Sequence, residues 1–541
     1  MKLGVVVWVE GTTVKFRIGE RARVERGQLV KIEDKGIKFI LRVYDFKPES
    51  LLTPAEIALV SRRREKGGEV PLYDKGLRLY DTALATILCQ IGEDGKVHGP
   101  TAVPSLFSVV EDLGEKDLKD LHLDTGDVPI GWVRVGHRSS DVIVALDGAK
   151  VIPHHILVCG VTGAGKSNLG KVLAASLMAS ERNKYSLVIF DCESEYLAGA
   201  GPGHLGLAHL PQAEGKLFYL SPDLPQPGKV EFVSRIDGIE IKRRIMGFPL
   251  KVPFSELVPS DFSMTGEFSA AQEELLWMAW RTVGDEWVSL LLEASVRDIF
   301  RRLRRLVSVN TISVTKRKLK HLLGRGEIFS PDARYNAIEA VLGAVAEGRV
   351  ILVDIPHATE GEEKLLSTMI ARRIFVTYER LRKDLPEEWE KLPYVLIMVE
   401  EAHRYLARQN LTTGGEVREN IFSIISKRGR KYKVGALYIT QMPGELMETV
   451  IRQTLTKIVL PLPTRPDYMK VIQYSPYMDE AEQEIKTLDK GEALIVSPPS
   501  GLRFAVPVKI FCYEDLAEKM IMHYMSSNKK VLRKRSASSS L

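Results

Sequence analysis

The chain has 541 residues, of which 45% are hydrophobic and 27% are charged, and its net charge at pH 7 is only +6. A chain of this length should form about three or four domains, and its composition is typical of a globular protein. The net charge is too small to indicate nucleic-acid binding by itself. No run of about 18 uncharged apolar residues predicts a membrane span. The four cysteines have neither disulfide nor metal-ligand spacing, which predicts a reducing, cytoplasmic location.

The first hundred residues carry short runs with alternating apolar and polar side chains. Four such runs lie between residues 3 and 46, and Gly-containing turns separate them. This spacing predicts a small antiparallel barrel or sandwich in a domain covering residues 1–100. The domain could form a collar in a ring, dock a partner, or only pack against the rest of the chain.

A phosphate-binding motif follows. Residues 160–167 read G-V-T-G-A-G-K-S, between the apolar run at 156–159 and a helical pattern at 168–178. Glycines allow the loop to turn its N–H groups inward, Lys166 can reach the β- and γ-phosphates, and Ser167 can bind Mg²⁺. The sequence therefore predicts an ATP site. The predicted nucleotide contacts are Gly160, Thr162, Gly163, Ala164, Gly165, Lys166, Ser167, Asn168 and Glu195.

Polar residues end three further predicted strands of an α/β core. Glu195 follows the run at 185–190 and could contact nucleotide, metal or a coupling element, or be a solvated loop acid. Glu400 and Glu401 end the run at 394–399, and we assign Glu400 to the outer shell of Mg²⁺ and Glu401 to activating water. Gln441 ends the run at 434–440, as expected of a γ-phosphate sensor.

Two arginines precede that last strand. Arg428 and Arg430 would be ordinary surface cations in a monomer. In a ring, one of them could enter the site of a neighbouring subunit and stabilise charge on the phosphoryl group. The sequence leaves open which arginine would act.

The pattern changes between residues 201 and 335, which predicts a mostly helical insertion in a core formed by residues 130–200 and 336–511. The insertion carries a dense positive run. It could be a solvated helix face, or it could contact nucleic acid or another subunit. Its members are Arg297, Arg301, Arg302, Arg304, Arg305, Lys316, Arg317, Lys318 and Lys320. Residues 512–541 predict a C-terminal helix and a basic, serine-rich tail.

These motifs together resemble the HerA family of the HerA/FtsK group of DNA translocases. The resemblance rests on residues 160–167, the D-x-x-x-E-Y pattern at 191–196, E-E-A-H at 400–403, and the R-G-R-K turn at 428–431. Further matches are I-T-Q-M-P at 439–443 and G-E-A-L-I at 491–495. It covers about residues 1–510. In four places the chain departs from the family pattern: His154 and His155 before the loop strand where Arg-His is frequent, Ala164 in the loop, Cys192 and Ser194 in the acidic turn, and Glu400 where Asp is usual.

The resemblance implies an α/β fold, with a RecA-like P-loop ATPase core, an N-terminal β-barrel and a helical insertion. It also implies a homohexamer that uses ATP and Mg²⁺ to pump double-stranded DNA, with a NurA-like nuclease as partner in DNA end processing. Two alternatives stay open. One is a ring scaffold whose ATP binding governs assembly with an effector, and the other is a pumping ATPase of the same group that is not a helicase.

Overall fold

The computed structural model describes the chain except for residues 69–74, 202, 237–238, 325, 408–411, 414–415, 418 and 539–541. The chain forms two compact units. The first contains Met1–Gly126, Gly131–Ala145 and Val459–Ile510, and the second contains Asp127–Ile130, Leu146–Ile458 and Phe511–Leu541.

The first unit begins with a closed barrel. Its elements are β1 (Lys2–Glu10), β2 (Thr13–Ile18), β3 (Leu29–Asp34), β4 (Ile37–Ser50), α1 (Pro54–Glu65), α2 (Lys75–Arg78), β5 (Leu79–Ile91), β6 (Val97–His98), β7 (Val109–Asp112) and α3 (Glu115–Lys119). Six strands pair antiparallel in the closed order β1-β2-β5-β4-β3-β7, while β6 adds a short pairing to β5. Alternate side chains such as Val14, Phe16 and Ile32 fill the interior. The predicted β-barrel is therefore confirmed.

The second unit is built on a largely parallel sheet. Strands β8 (Val128–Val135) and β9 (Arg138–Leu146) precede it along the chain. Its own strands are β10 (Ile156–Cys159), β11 (Tyr185–Asp191), β12 (Leu217–Ser221), β13 (Gly228–Ile236), β14 (Ile239–Pro249), β15 (Val252–Pro253), β16 (Phe329–Ser330), β17 (Val350–Asp354), β18 (Tyr394–Val399), β19 (Thr412–Thr413), β20 (Glu416–Val417), β21 (Val434–Thr440) and β22 (Thr456–Val459). The sheet order is β13-β14-β12-β17-β11-β18-β21-β10-β22, and every pair from β14 to β10 is parallel.

The second unit also contains helices. They are α4 (Gly148–Val151), α5 (Lys166–Ala179), α6 (Ala213–Lys216), α7 (Pro259–Ser263), α8 (Ala270–Val283), α9 (Trp287–Glu293), α10 (Val296–Arg302), α11 (Val309–Leu322), α12 (Ala337–Ala346), α13 (Glu360–Asp384), α14 (Pro386–Lys391), α15 (His403–Leu406), α16 (Ile421–Arg428) and α17 (Glu448–Gln453). Strands β11 and β21 are buried along their whole length, as expected for a parallel sheet with both faces covered. The α/β fold class is confirmed.

The segment at 201–335 contains more strand than a mostly helical insertion. Strands β12, β13 and β14 belong to the large sheet, and only the part from α7 to α11 is mainly helical. For β12, the reason is that Leu217–Ser221 is a short apolar run directly after α6, and periodicity alone does not separate such a run from a helix.

The last part of the first unit comes from residues 459–510. It contains α18 (Arg465–Gln473), α19 (Glu482–Thr487), β23 (Glu492–Ser497) and β24 (Leu502–Ile510). Within this unit Arg42 and Arg134 both contact the buried carboxylate of Glu484, and Arg42 also donates to the carbonyl of Ala505. These contacts group residues 459–510 with the barrel, whereas the predicted boundaries place them in the core. The chain then ends in α20 (Tyr513–Ser538), and the last three residues of the predicted tail lie outside the described residues.

Candidate nucleotide-binding and catalytic site

The phosphate loop joins β10 to α5. Gly163 and Gly165 have φ of 78° and 107°, which residues with a side chain rarely adopt. Helix α5 begins at Lys166, and the N–H groups of its first turn have no partner within the helix. The Lys166 ammonium donates to the carbonyls of Gly160 and Val161, each at 3.0 Å. The loop thus curls around one positive charge and presents free donors beside it.

This donor set fits a nucleotide triphosphate with Mg²⁺. Burial lowers the pKa of Lys166, and the neighbouring carboxylates of Glu401 and Glu400 partly offset that shift. Ser167 is exposed on the first turn of α5, where its hydroxyl is open to a ligand. Mg²⁺ at phosphate sites takes only one or two protein oxygens and completes its shell with phosphates and water, so a cage of several acids is not needed.

The parallel sheet brings the predicted polar residues to one edge. Each of β11, β17, β18 and β21 ends at the same edge as β10, because neighbouring strands run in the same direction. Asp191 and Asp354 end β11 and β17 as paired neighbours. Residues 400–401 and Gln441 directly follow β18 and β21. Ligands of open α/β sheets bind at this edge.

A hydrogen-bonded chain links the loop to the predicted water-activating acid. Thr162 Oγ1 donates to Gln441 Oε1, and Gln441 Nε2 donates to Glu401 Oε1 at 2.6 Å. Glu401 has φ of 45°, a strained value of the kind that clusters at active sites. His403 Nδ1 lies 3.3 Å from the second carboxylate oxygen of Glu401. Thr162 and Gln441, which are 279 positions apart in the sequence, are thereby joined. The carboxylate of Glu401 is held in one orientation.

Glu400 lies in a second, more buried arrangement. The Tyr196 hydroxyl donates to Glu400 Oε1 at 2.6 Å. Asp191 holds the Tyr196 backbone, because its carboxylate accepts from the N–H groups of Glu195 and Tyr196 at 3.1 and 2.9 Å. Gly170 on α5 leaves room for the tyrosine, since a Cβ there would lie 2.6 Å from the hydroxyl.

The charge of Glu400 is sensitive to these neighbours. Burial raises the pKa of Glu400 to about 7; the Tyr196 hydrogen bond lowers it, and the negative charges of Asp191, Glu195 and Glu401 raise it. Glu195 is therefore close enough to act electrostatically, although its side chain has no hydrogen bond among the described contacts. The pKa of Glu400 therefore depends on its burial, on the Tyr196 hydroxyl and on the charges of the neighbouring acids.

Two substitutions are expected to move the pH dependence of ATP hydrolysis in opposite directions. Tyr196→Phe removes a bond that favours the carboxylate, so the pKa of Glu400 and the acid limb of kcat/KM should rise, by about one pH unit. Glu195→Gln removes a like charge, so the acid limb should move to lower pH. Both are read from kcat/KM against pH, which reports groups of the free enzyme. If the acid limb of kcat/KM lies at the wild-type pH in both variants, the ionisation of Glu400 does not control hydrolysis.

Other predicted residues are placed differently. The Asn168 side chain accepts from the N–H of Tyr513 and donates to the carbonyl of Phe511, both at 2.8 Å, which leaves its backbone N–H for a ligand. Arg428 pairs with Glu379 and lies over the rings of Phe375 and Tyr432, so its guanidinium is engaged within the same chain.

Arg430 is exposed, and no ion pair involving it is found among the described residues. It lies in the short turn at Gly429–Tyr432, directly after α16. Of the two arginines, Arg430 is therefore the one whose guanidinium is more available to another molecule.

Sequence reasoning missed the roles of Tyr196 and His403. Both lie inside the quoted patterns, D-x-x-x-E-Y and E-E-A-H, but their partners come from other strands. His403 Nδ1 lies 3.2 Å from Thr440 Oγ1 and thus connects the ends of β18 and β21. The position of each residue one or two places after a predicted functional acid was the only available signal.

The fold and this site define an α/β P-loop ATPase. Comparison with known families is consistent with that class: the family model described as "Helicase HerA, central domain" matches residues 128–374. The DNA double-strand break repair helicase HerA of Pyrococcus furiosus is 23% identical over 94% of this chain and 91% of its own length. HerA of Sulfurisphaera tokodaii is 24% identical over 95% and 94%, respectively. The resemblance to the HerA family that the motifs indicate is therefore confirmed.

Solved structures give more distant similarities. The plasmid coupling protein TrwB in complex with the GTP analogue GDPNP has a TM-score of 0.44 and 13% identity, covering 74% of this chain and 93% of TrwB. TrwB in complex with ADP and Mg²⁺ has a TM-score of 0.44 and 14% identity, covering 68% and 87%. In the part of the chain that the structure describes, no helix has the length and hydropathy of a membrane span.

Proposed function

We propose that this chain is an ATP-driven translocase that acts on double-stranded DNA as a homohexamer, with a NurA-like nuclease as partner in DNA end processing. The observation that carries the proposal is the joining of the phosphate loop, Gln441 and Glu401 by direct hydrogen bonds. The HerA relatives are described as DNA double-strand break repair helicases, which supports DNA as the substrate.

In this proposal each residue has a defined task in hydrolysis. The first-turn N–H groups of α5 and the Lys166 ammonium bind the phosphates and neutralise their charge. Glu401 accepts a proton from the attacking water, and Gln441 keeps the Glu401 carboxylate aimed at the loop. Mg²⁺, when bound, would neutralise charge on the β- and γ-phosphate oxygens, and Ser167 and Glu400 are the residues that would hold it.

The ring part of the proposal concerns Arg430. An arginine supplied by a neighbouring subunit stabilises charge on the transferred phosphoryl group and is worth about 10³–10⁵ in rate in other nucleotidases. We favour Arg430 over Arg428 because Arg428 is already paired with Glu379 and packed on aromatic rings. If the ATP site is completed by an arginine from a neighbouring subunit, hydrolysis requires the assembled ring.

Translocation is tested by displacement of a roadblock. Purified protein with Mg²⁺ and ATP is given linear duplex DNA that carries streptavidin on an internal biotin, with ATP turnover measured in parallel. The proposal predicts that duplex DNA stimulates turnover and that streptavidin is released only when ATP is hydrolysed. The control replaces ATP by a nonhydrolysable analogue. Turnover that ignores DNA, with no release, would contradict a motor and favour a scaffold that assembles on ATP binding.

A further inference from the structure

The turn between α10 and α11 has an unusual backbone. Arg304 and Arg305 have φ of 53° and 61°, so two consecutive arginines adopt the left-handed conformation. Side chains other than Gly, Asn and Asp are disfavoured there because Cβ approaches the carbonyl oxygen. The turn keeps this form through hydrogen bonds from Arg304 N–H to the carbonyl of Arg301 and from Arg305 N–H to the carbonyl of Phe300. Such strain is commonly kept where it serves a function.

The turn is also exposed to solvent. Arg304 and Arg305 are exposed, and the next residue, Leu306, is 71% exposed. Ser308 then caps α11 by accepting from the N–H of Thr311, which ends the turn. The two arginine side chains thus extend from a short, exposed turn that backbone hydrogen bonds hold. We call Arg304 and Arg305 with this backbone the arginine turn.

Charge around the arginine turn is of one sign along the chain. Residues 299–326 contain nine Lys or Arg and no Asp or Glu, although acids make up about one residue in eight of the whole chain. A solvated helix face normally mixes both signs. The nearest acid before the turn is Asp298, which is 3.7 Å from Arg301 in an exposed pair that contributes little.

Some cations of this segment bond to neighbouring helices, and others have no such contact among the described residues. Lys316 donates to the carbonyl of Ala294 at 2.7 Å, and Lys318 donates to Gln272 Oε1 at 3.0 Å, so both hold helices together. Arg302 faces a cavity of about 790 Å³ whose other lining residues include Asp285, Glu293 and Asp332. Among the described contacts, the side chains of Arg304 and Arg305 neither bond to another helix nor line this cavity. Their charge is left for another molecule.

We propose that the arginine turn is a phosphate-binding contact for the backbone of duplex DNA. The inference rests on the proposed function for the choice of DNA. Arginine matches phosphate with two parallel N–H donors, and an exposed turn can contact a phosphate backbone without reading bases. Such a contact adds affinity that depends on salt and not on sequence.

The test measures duplex affinity against salt for three proteins. Arg304→Asn/Arg305→Asn removes two charges with a residue that tolerates the left-handed backbone, Arg304→Lys/Arg305→Lys keeps the charges, and Arg62→Gln/Arg63→Gln removes two exposed arginines from α1. Fluorescence anisotropy with a labelled 30-base-pair duplex gives log Kobs against log salt, and a slope of about −0.9 is expected for each phosphate contact. Thermal melting checks that each variant folds.

The Asn variant should bind less tightly, with a slope shallower by about two per engaged subunit, while the Lys variant and the Arg62/Arg63 variant should keep the wild-type slope. An unchanged slope in the Asn variant, with wild-type binding intact, would overturn the arginine turn as a DNA contact and would leave a protein partner as its use. A wild-type protein that binds no duplex at 50 mM salt would overturn the proposed function as well. The two failures are therefore distinguishable.

Discussion

Replacing Glu401 by Gln should reduce kcat for ATP about 10²–10⁴-fold while leaving ATP binding nearly unchanged. The amide is almost isosteric and can still accept the hydrogen bond from Gln441 Nε2, so the local geometry should persist. What is lost is a base within reach of the attacking water. A loss confined to kcat would therefore identify proton transfer as the missing step.

This result is measured by phosphate release at saturating ATP, with a fluorescent ATP analogue to follow binding. Glu448→Gln is the matched control because Glu448 is an exposed acid on α17, outside the site. Turnover within a fewfold of wild type in Glu401→Gln would remove Glu401 from catalysis. A parallel loss in Glu448→Gln would show that the assay reports a general effect of lost negative charge.

Lys166→Ala should have an equally large effect, but on binding. The substitution removes a partly buried ammonium that is positioned at the loop carbonyls and beside the first turn of α5. A hydrogen bond between charged groups contributes about 1.5–3 kcal/mol, so loss of contacts to two phosphates should weaken ATP binding about 10²-fold or more. Hydrolysis should become undetectable.

Comparison of ATP, ADP and AMP binding shows which phosphates the Lys166 ammonium contacts. If the ammonium contacts the β- and γ-phosphates, the affinity for ATP should fall more than the affinity for ADP, and AMP binding should change least. Isothermal titration with the three nucleotides checks this order. An equal loss for all three would mean that the substitution collapses the loop, and equal affinity to wild type would place the phosphates elsewhere.

The phosphate loop was predictable because its chemistry is local. Eight consecutive residues contain the glycines, the lysine and the hydroxyl, and Gly163 and Gly165 adopt the left-handed backbone that motivates the pattern. The common edge of the acids was also predictable, since parallel strands place their carboxyl ends together. Both inferences need only the order of strand, turn and helix.

The finer contacts depend on tertiary packing that no local pattern contains. Tyr196 reaches Glu400 only because β11 and β18 are neighbours and Gly170 leaves space. Arg428 forms an ion pair with Glu379 on α13, and the sequence around the turn contains no signal for that contact. Strand β7, with only four residues, was too short to predict although it closes the barrel.

The proposed ATP hydrolysis requires that one bound triphosphate contacts Lys166 and lies within reach of Glu401 in the same site. Structure determination of the protein with Mg²⁺, a nonhydrolysable ATP analogue and duplex DNA measures this most directly. We expect the β- and γ-phosphates to lie at the Lys166 ammonium, Glu401 to face the γ-phosphate through one water, and Arg430 to arrive from an adjacent subunit. Nucleotide bound away from Lys166, or a site closed without any neighbouring subunit, would contradict it.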